Sequence, residues 1–233
     1  MKNKKILHII STSILAVLLI IFFIPFDTAG RIGAAFVFSI TAVAAYFLLK
    51  KRGILSINKQ QVLLIVVIVA VVYLMLYYLT GLSFGFAHNP YALKPEFLLS
   101  RFLPAVIIIA STEIYRWVIV AQEDRTANVL CYISCVLAEM IVCSTAVYAI
   151  STFNHFMDLV AETMFPALIA NLLYGYLSKR YGFLQNIIYR AVTTLSVYFI
   201  PIVPRISDAL VAVFNLLLPL FIYVFIDSLY EKK

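Results

Sequence analysis

The sequence predicts an all-α fold: a polytopic bundle of about eight transmembrane helices forming one transmembrane domain over residues 1–233. Three observations predict it. First, 64% of the 233 residues are hydrophobic and 12% are charged, with a mean hydropathy of +1.02; no soluble domain of this size needs so much apolar surface. Second, the apolar residues fall into runs near the ~20 residues that cross a bilayer as helix, which satisfies its own backbone hydrogen bonds in lipid. Third, assigning the basic residues to alternating sides of those runs concentrates them on one side.

The first span, 6–26, follows the basic MKNKK. ILHIISTSILAVLLIIFFIPF is longer than an ordinary signal-peptide core, and DTAGR gives no clear A-x-A cleavage site, so we expect a retained helix. Span two, 32–49, ends at the loop KKRGILSINKQQ, and span three covers 62–82. The longest connection follows, SFGFAHNPYALKPEFLLSR, whose ALKPEFLLSRF end is expected to lie flat at the interface. Span four is 102–120 and span five 128–150. Spans six, seven and eight are 159–178, 184–204 and 209–227, with Pro166, Pro201, Pro204 and Pro219 kinking or ending them. Tyrosines cluster near the span ends, as interfacial anchoring predicts.

The net charge of +7 raises the question of nucleic acid, and its distribution answers it. One side of the spans receives Lys2, Lys4, Lys5, Lys50, Lys51, Arg52, Lys59, Arg125, Lys179, Arg180, Lys232 and Lys233, which is twelve. The other receives Arg31, Lys94, Arg101 and Arg205, which is four, and Arg116 and Arg190 lie within spans. This asymmetry predicts both termini in the cytoplasm of a multi-pass cell-membrane protein. Attraction to the lipid bilayer accounts for the basic excess, and no nucleic-acid partner is expected.

The topology also sets depths. Glu113 comes out about 12 Å from the cytoplasmic end of span four, Arg116 about 7.5 Å, and Arg190 about 10 Å into span seven, at 1.5 Å per residue. Asn171 of span six reaches a similar level. A carboxylate, an amide and two guanidiniums thus share one slab, and Glu113 and Arg116, spaced i,i+3, share a face. Two readings stand side by side. The slab is an ion-paired cluster that fixes helix packing, or it is a substrate-facing site.

Span five aligns Cys131, Cys135, Glu139 and Cys143, each four apart. The stripe runs about 18 Å, too long for one ion, so it reads as a packing face; no metal site, cofactor or structural disulfide is expected. Gly81, Ser83 and Gly85 spell G-x-S-x-G, with His155 on the same side, but they end a helix rather than form a strand-to-helix elbow. HExxH, paired intramembrane aspartates, glycine-rich phosphate loops and C-x-x-C are missing from the sequence.

The ExxR-type element in TEIYR, followed by MFPALIANLLYGYLSKRYGFLQNIIYRAVTTL, resembles the CAAX-protease and bacteriocin-processing (CPBP) membrane family. Members are eight-span bundles that typically carry Glu-Glu-x-x-x-Arg and later histidine motifs. Gly175-Tyr176-Leu177 and Tyr181-Gly182 match the turn before the family's last histidine helix. The chain departs in its chemistry: Glu113 stands alone, three residues before Arg116, and Tyr189-Arg190 occupies the place of the histidine. TEIYR, IIYR (187–190) and PIVP (201–204) also resemble the multi-pass domain that accompanies signal-peptidase-I-like proteins, over about residues 100–225.

The resemblance implies a histidine-less relative that assists processing of exported proteins beside a signal-peptidase-like partner. Its intramembrane cluster would be Glu113, Arg116, Asn171, Tyr189 and Arg190. Two alternatives stand: an active glutamate protease with Glu113 catalytic, and a transporter subunit whose arginines hold an anion.

Overall fold

The computed structural model describes residues 2–23, 28–49, 58–143 and 151–230. Lys50, Lys51, Arg52, Lys232 and Lys233, and the side chains of Lys2, Arg31 and Cys143, lie outside the described residues. In chain order the helices are α1 (Lys2–Phe23), α2 (Thr28–Leu48), α3 (Lys59–Phe84), α4 (Pro95–Val120), α5 (Arg125–Cys143), α6 (Phe153–Arg180), α7 (Leu184–Leu195) and α8 (Asp208–Tyr230). Two three-residue strands, β1 (Phe86–His88) and β2 (Ile202–Pro204), pair antiparallel with Ala87 opposite Val203.

Five segments of these helices are long and apolar enough to cross a membrane: Lys4–Phe22, Lys59–Phe84, Pro95–Val120, Phe153–Arg180 and Asp208–Tyr230. Their outward faces carry large apolar side chains such as Leu64, Leu82, Leu217 and Phe221, all more than half exposed. Such faces suit a membrane protein, because water would penalise so much uncovered hydrocarbon.

Packing forms two apolar clusters. In one, Ile14 and Leu18 of α1, Phe38 and Ala42 of α2, Ile108 and Ile119 of α4 and Cys135 of α5 meet. In the other, Val66 and Ala70 of α3, Leu173 and Leu177 of α6, Tyr189 of α7 and Ile222 of α8 meet. α4 is the axis between them, packed against α2, α5, α6 and α7. A helix hydrophobic nearly all round belongs at such a centre, and Ile108, Thr112, Glu113, Tyr115, Arg116 and Ile119 are all buried.

A set of contacts gathers one end of the bundle. Lys4 Nζ and His8 Nε2 lie 3.6 and 3.4 Å from the Asp124 carboxylate in the α4–α5 turn. The Trp117 ring packs 5.3 Å from Phe183, Gln185 Nε2 donates to the Lys59 carbonyl, and Tyr230 Oη donates to Gln61. At the other end the β1–β2 pair ties the α3–α4 loop to the α7–α8 loop. Buried Asn89 reinforces it, donating to the Ile200 carbonyl at 2.8 Å and accepting from the Tyr91 N–H at 3.0 Å.

Two elements differ from expectation. The segment expected to lie flat is the start of α4, which begins at Pro95 and runs through a wide π turn at Leu98–Phe102 into the main helix. Proline at the first helical turn costs no intrahelical bond, so the helix starts there. The seventh predicted span is helical only over Leu184–Leu195, about 18 Å. A short 3₁₀ turn follows, and Pro201 and Pro204, which lack donors, convert the rest to extended chain.

Candidate functional site

The polar slab sits where the two apolar clusters meet. Glu113 is fully buried and both of its oxygens are engaged. Oε1 accepts from Arg116 Nη1, one helical turn on, and from Arg190 Nη1 at 2.8 Å; Oε2 accepts from Asn186 Nδ2 at 2.7 Å. Arg116 also donates to Asn171 Oδ1, and Asn171 Nδ2 donates to Glu139 Oε2 at 2.8 Å. Arg190 closes the circuit, with Nη1 donating to Thr112 Oγ1 at 2.9 Å and Nη2 3.5 Å from Glu139 Oε1. Two carboxylates and two guanidiniums therefore form a neutral ring drawn from α4, α5, α6 and α7.

Aromatic and amide groups complete it. Both guanidinium carbons stand 5.2 Å from the centre of the Tyr174 ring, a cation–π arrangement from two directions. Asn186 Nδ2 reaches the Tyr174 carbonyl and Ser178 Oγ at 2.9 Å each. Breaking such a network by removing one member leaves an unpaired buried charge.

Of the residues expected from sequence, Glu113, Arg116, Asn171 and Arg190 are brought together. Tyr189 is buried one layer away, its ring 6.0 Å from that of Tyr174. Ser83 and His155 are not brought together: His155 Nδ1 pairs with Ser151 Oγ at 3.0 Å, and Gly85, at φ 84°, caps the end of α3. Glu139, Thr112, Tyr174, Ser178 and Asn186 are members that sequence reasoning missed. Glu139 had a usable signal: the stripe read as a packing face put a carboxylate inside span five, where an in-span charge needs a partner such as Arg190.

A cavity of about 520 Å³ opens beside the ring. It runs from Glu162 and Asp208, past Ala167, Ala170 and Asn215, to Glu139, Tyr174 and Tyr189. Val203 of β2 also lines it, and Asp208, a few residues on, is exposed at that end. Glu113 does not line it; Glu139, with a side chain 18% exposed, does. Of the ring's two carboxylates, the one in a position to meet a ligand is therefore Glu139, while Glu113 is sealed behind its partners.

No protein-family model, curated protein or solved structure gives a significant match to this chain.

Proposed function

We propose that this protein crosses the cell membrane eight times with both termini in the cytoplasm, and serves as a non-catalytic accessory that presents exported polypeptides to a signal-peptidase-like enzyme. The observation that carries the non-catalytic part is the closure of Glu113. A general base needs a lone pair within reach of a water beside the substrate, and both Glu113 oxygens are held by Arg116, Arg190 and Asn186 away from the cavity. The same closure argues against a transporter that grips an anion, because both guanidiniums are already matched by carboxylates. The presenting role is supported by the cavity, whose volume lies in the range of ligand sites, and by the motif resemblance of residues 100–225.

The test is in-cell photocrosslinking from a reactive side chain at Thr194, which lines the cavity. Adducts to exported precursors or to a signal-peptidase-like protein are expected. A cavity position that yields no protein adduct, beside an exposed control such as Phe47 that crosslinks normally, overturns the presenting role.

One observation favours a second reading. Glu139 reaches the cavity beside Tyr174 and Tyr189, so an intramembrane peptidase built on this chain would use Glu139 rather than Glu113. Cleavage of a peptide panel by the purified protein, abolished in Glu139→Gln, would install that reading; an intact panel removes it.

A further inference from the structure

The cavity carries more chemistry than a presenting role requires. Three of its lining residues are carboxylates, Glu139, Glu162 and Asp208, and among the described residues no Lys, Arg or His lines it, in a chain of net charge +7. Glu139 is matched by Arg190 at 3.5 Å. Glu162 and Asp208, at the opening, interact electrostatically with each other and have no cation within 4 Å among the described residues. Two carboxylates lining one cavity without a cation are complementary in charge to a cationic ligand.

A second, independent observation lies at the inner end. Tyr174 and Tyr189 are each about 4% exposed, yet they line the cavity. Neither hydroxyl has a hydrogen-bond partner among the described residues; Tyr73, their neighbour on the wall, does have one, donating to Asn215 Oδ1 at 3.3 Å. A tyrosine with so buried a body ordinarily pairs its hydroxyl, so these two, unpaired on the cavity wall, are placed for a group that enters it. Between the ends the wall is mixed, with Met140, Ala167, Ala170 and Val211 beside Thr193, Thr194 and Asn215.

We propose that this cavity is a binding site for an amphiphilic organic cation: a primary ammonium seated between Glu162 and Asp208, an apolar or aromatic body along the wall, and a polar far end bonded to the Tyr174 and Tyr189 hydroxyls. The ammonium comes from a free arylalkylamine or from a lysine side chain of a polypeptide. The lysine source rests on the presenting role proposed above, whereas the free amine does not.

The test uses the full-length protein in detergent or nanodiscs, with calorimetry and thermal stabilisation as readouts. The probes are 4-(2-aminoethyl)phenol, its neutral analogue 4-(2-hydroxyethyl)phenol, its anionic analogue 4-hydroxyphenylacetate, and a short peptide bearing one Tyr and one Lys. Saturable binding of the amine, with little from the neutral and anionic analogues, is expected. Glu162→Gln with Asp208→Asn is expected to weaken it up to about fivefold per carboxylate, the range for partly exposed ion pairs. Tyr174→Phe or Tyr189→Phe weakens the phenol-bearing amine but not 2-phenylethylamine, which a purely structural role of the ring would not produce. Equal binding of the neutral analogue, no binding of any probe, or an unchanged affinity in a double variant that melts like wild type overturns the proposal. If the amine binds and the peptide does not, the cation site stands and the presenting role loses its cavity. If adducts form at Thr194 while no amine binds, the reverse holds.

Discussion

Replacing Glu113 by Gln keeps the shape of the side chain and removes one charge from a ring that is neutral only with it. Arg116 and Arg190 would then share Glu139 alone, which touches Arg190 at 3.5 Å and reaches Arg116 only through Asn171. Removing one partner of a buried ion pair costs about 3–5 kcal/mol. For a chain of this length each kcal/mol shifts Tm by about 2–4 °C, so the variant should melt about 6–20 °C lower. Adding Arg190→Met removes the surplus guanidinium and restores neutrality, so the double variant should recover about 1–3 kcal/mol relative to the sum of the single costs. Trp117 is the only tryptophan and packs against Phe183 at the α4–α7 contact, so its fluorescence on heating the purified protein reports the separation of those helices. A Glu113→Gln variant within about 2 °C of wild type, or single costs that simply add, would refute the ring as a coupled unit.

Three further outcomes are expected. The Asp124 carboxyl is held below the ordinary range by the Ala127 N–H at 3.1 Å and by nearby His8 and Lys4; its folded value is depressed, so its contribution is present above an unfolded value near ~3.9 and is lost as pH falls through the lower folded value. The melting difference between wild type and Asp124→Asn should therefore shrink as pH falls from about 4 toward 2, and a difference that grows there would contradict the assignment. Gly182 sits at φ 100°, so Gly182→Ala should cost about 1–2 kcal/mol by the same melt, even though its Cβ would meet only the Lys59 side chain at ordinary distance. Cys131 and Cys135 are buried, so a maleimide should label neither in the folded protein and both after unfolding; rapid native labelling would show that α5 opens.

Depth arithmetic located Glu113, Arg116, Asn171 and Arg190 in one layer because a helix advances a fixed distance per residue, and side chains at equal depth on adjacent rods meet. It failed for Glu139, higher along α5, which joins through the long reach of Arg190 and the bridging amide of Asn171. Asn186 escaped because it sits only two residues into α7, where a polar residue reads as loop. Hydropathy also overran α7: SVYFIPIVP is apolar enough to extend a span, but neither proline can donate to a helix, and the chain takes a strand partner 116 residues upstream, Val203 opposite Ala87. The cavity left no sequence signal, since its walls come from five helices and its carboxylates are far apart in the chain.

The shortness of α7 bears on how such a chain is made. α4 enters lipid with Glu113 and Arg116 already matched within one turn, so it travels as a neutral unit. α7 brings Arg190 with no acid of its own, in twelve residues that cannot reach from one headgroup layer to the other. A lone arginine at that depth costs about 2.5–3.5 kcal/mol on insertion. Glu113 of α4 and Glu139 of α5 both precede Arg190 in the chain, so α7 packs against helices that already carry its two counter-charges.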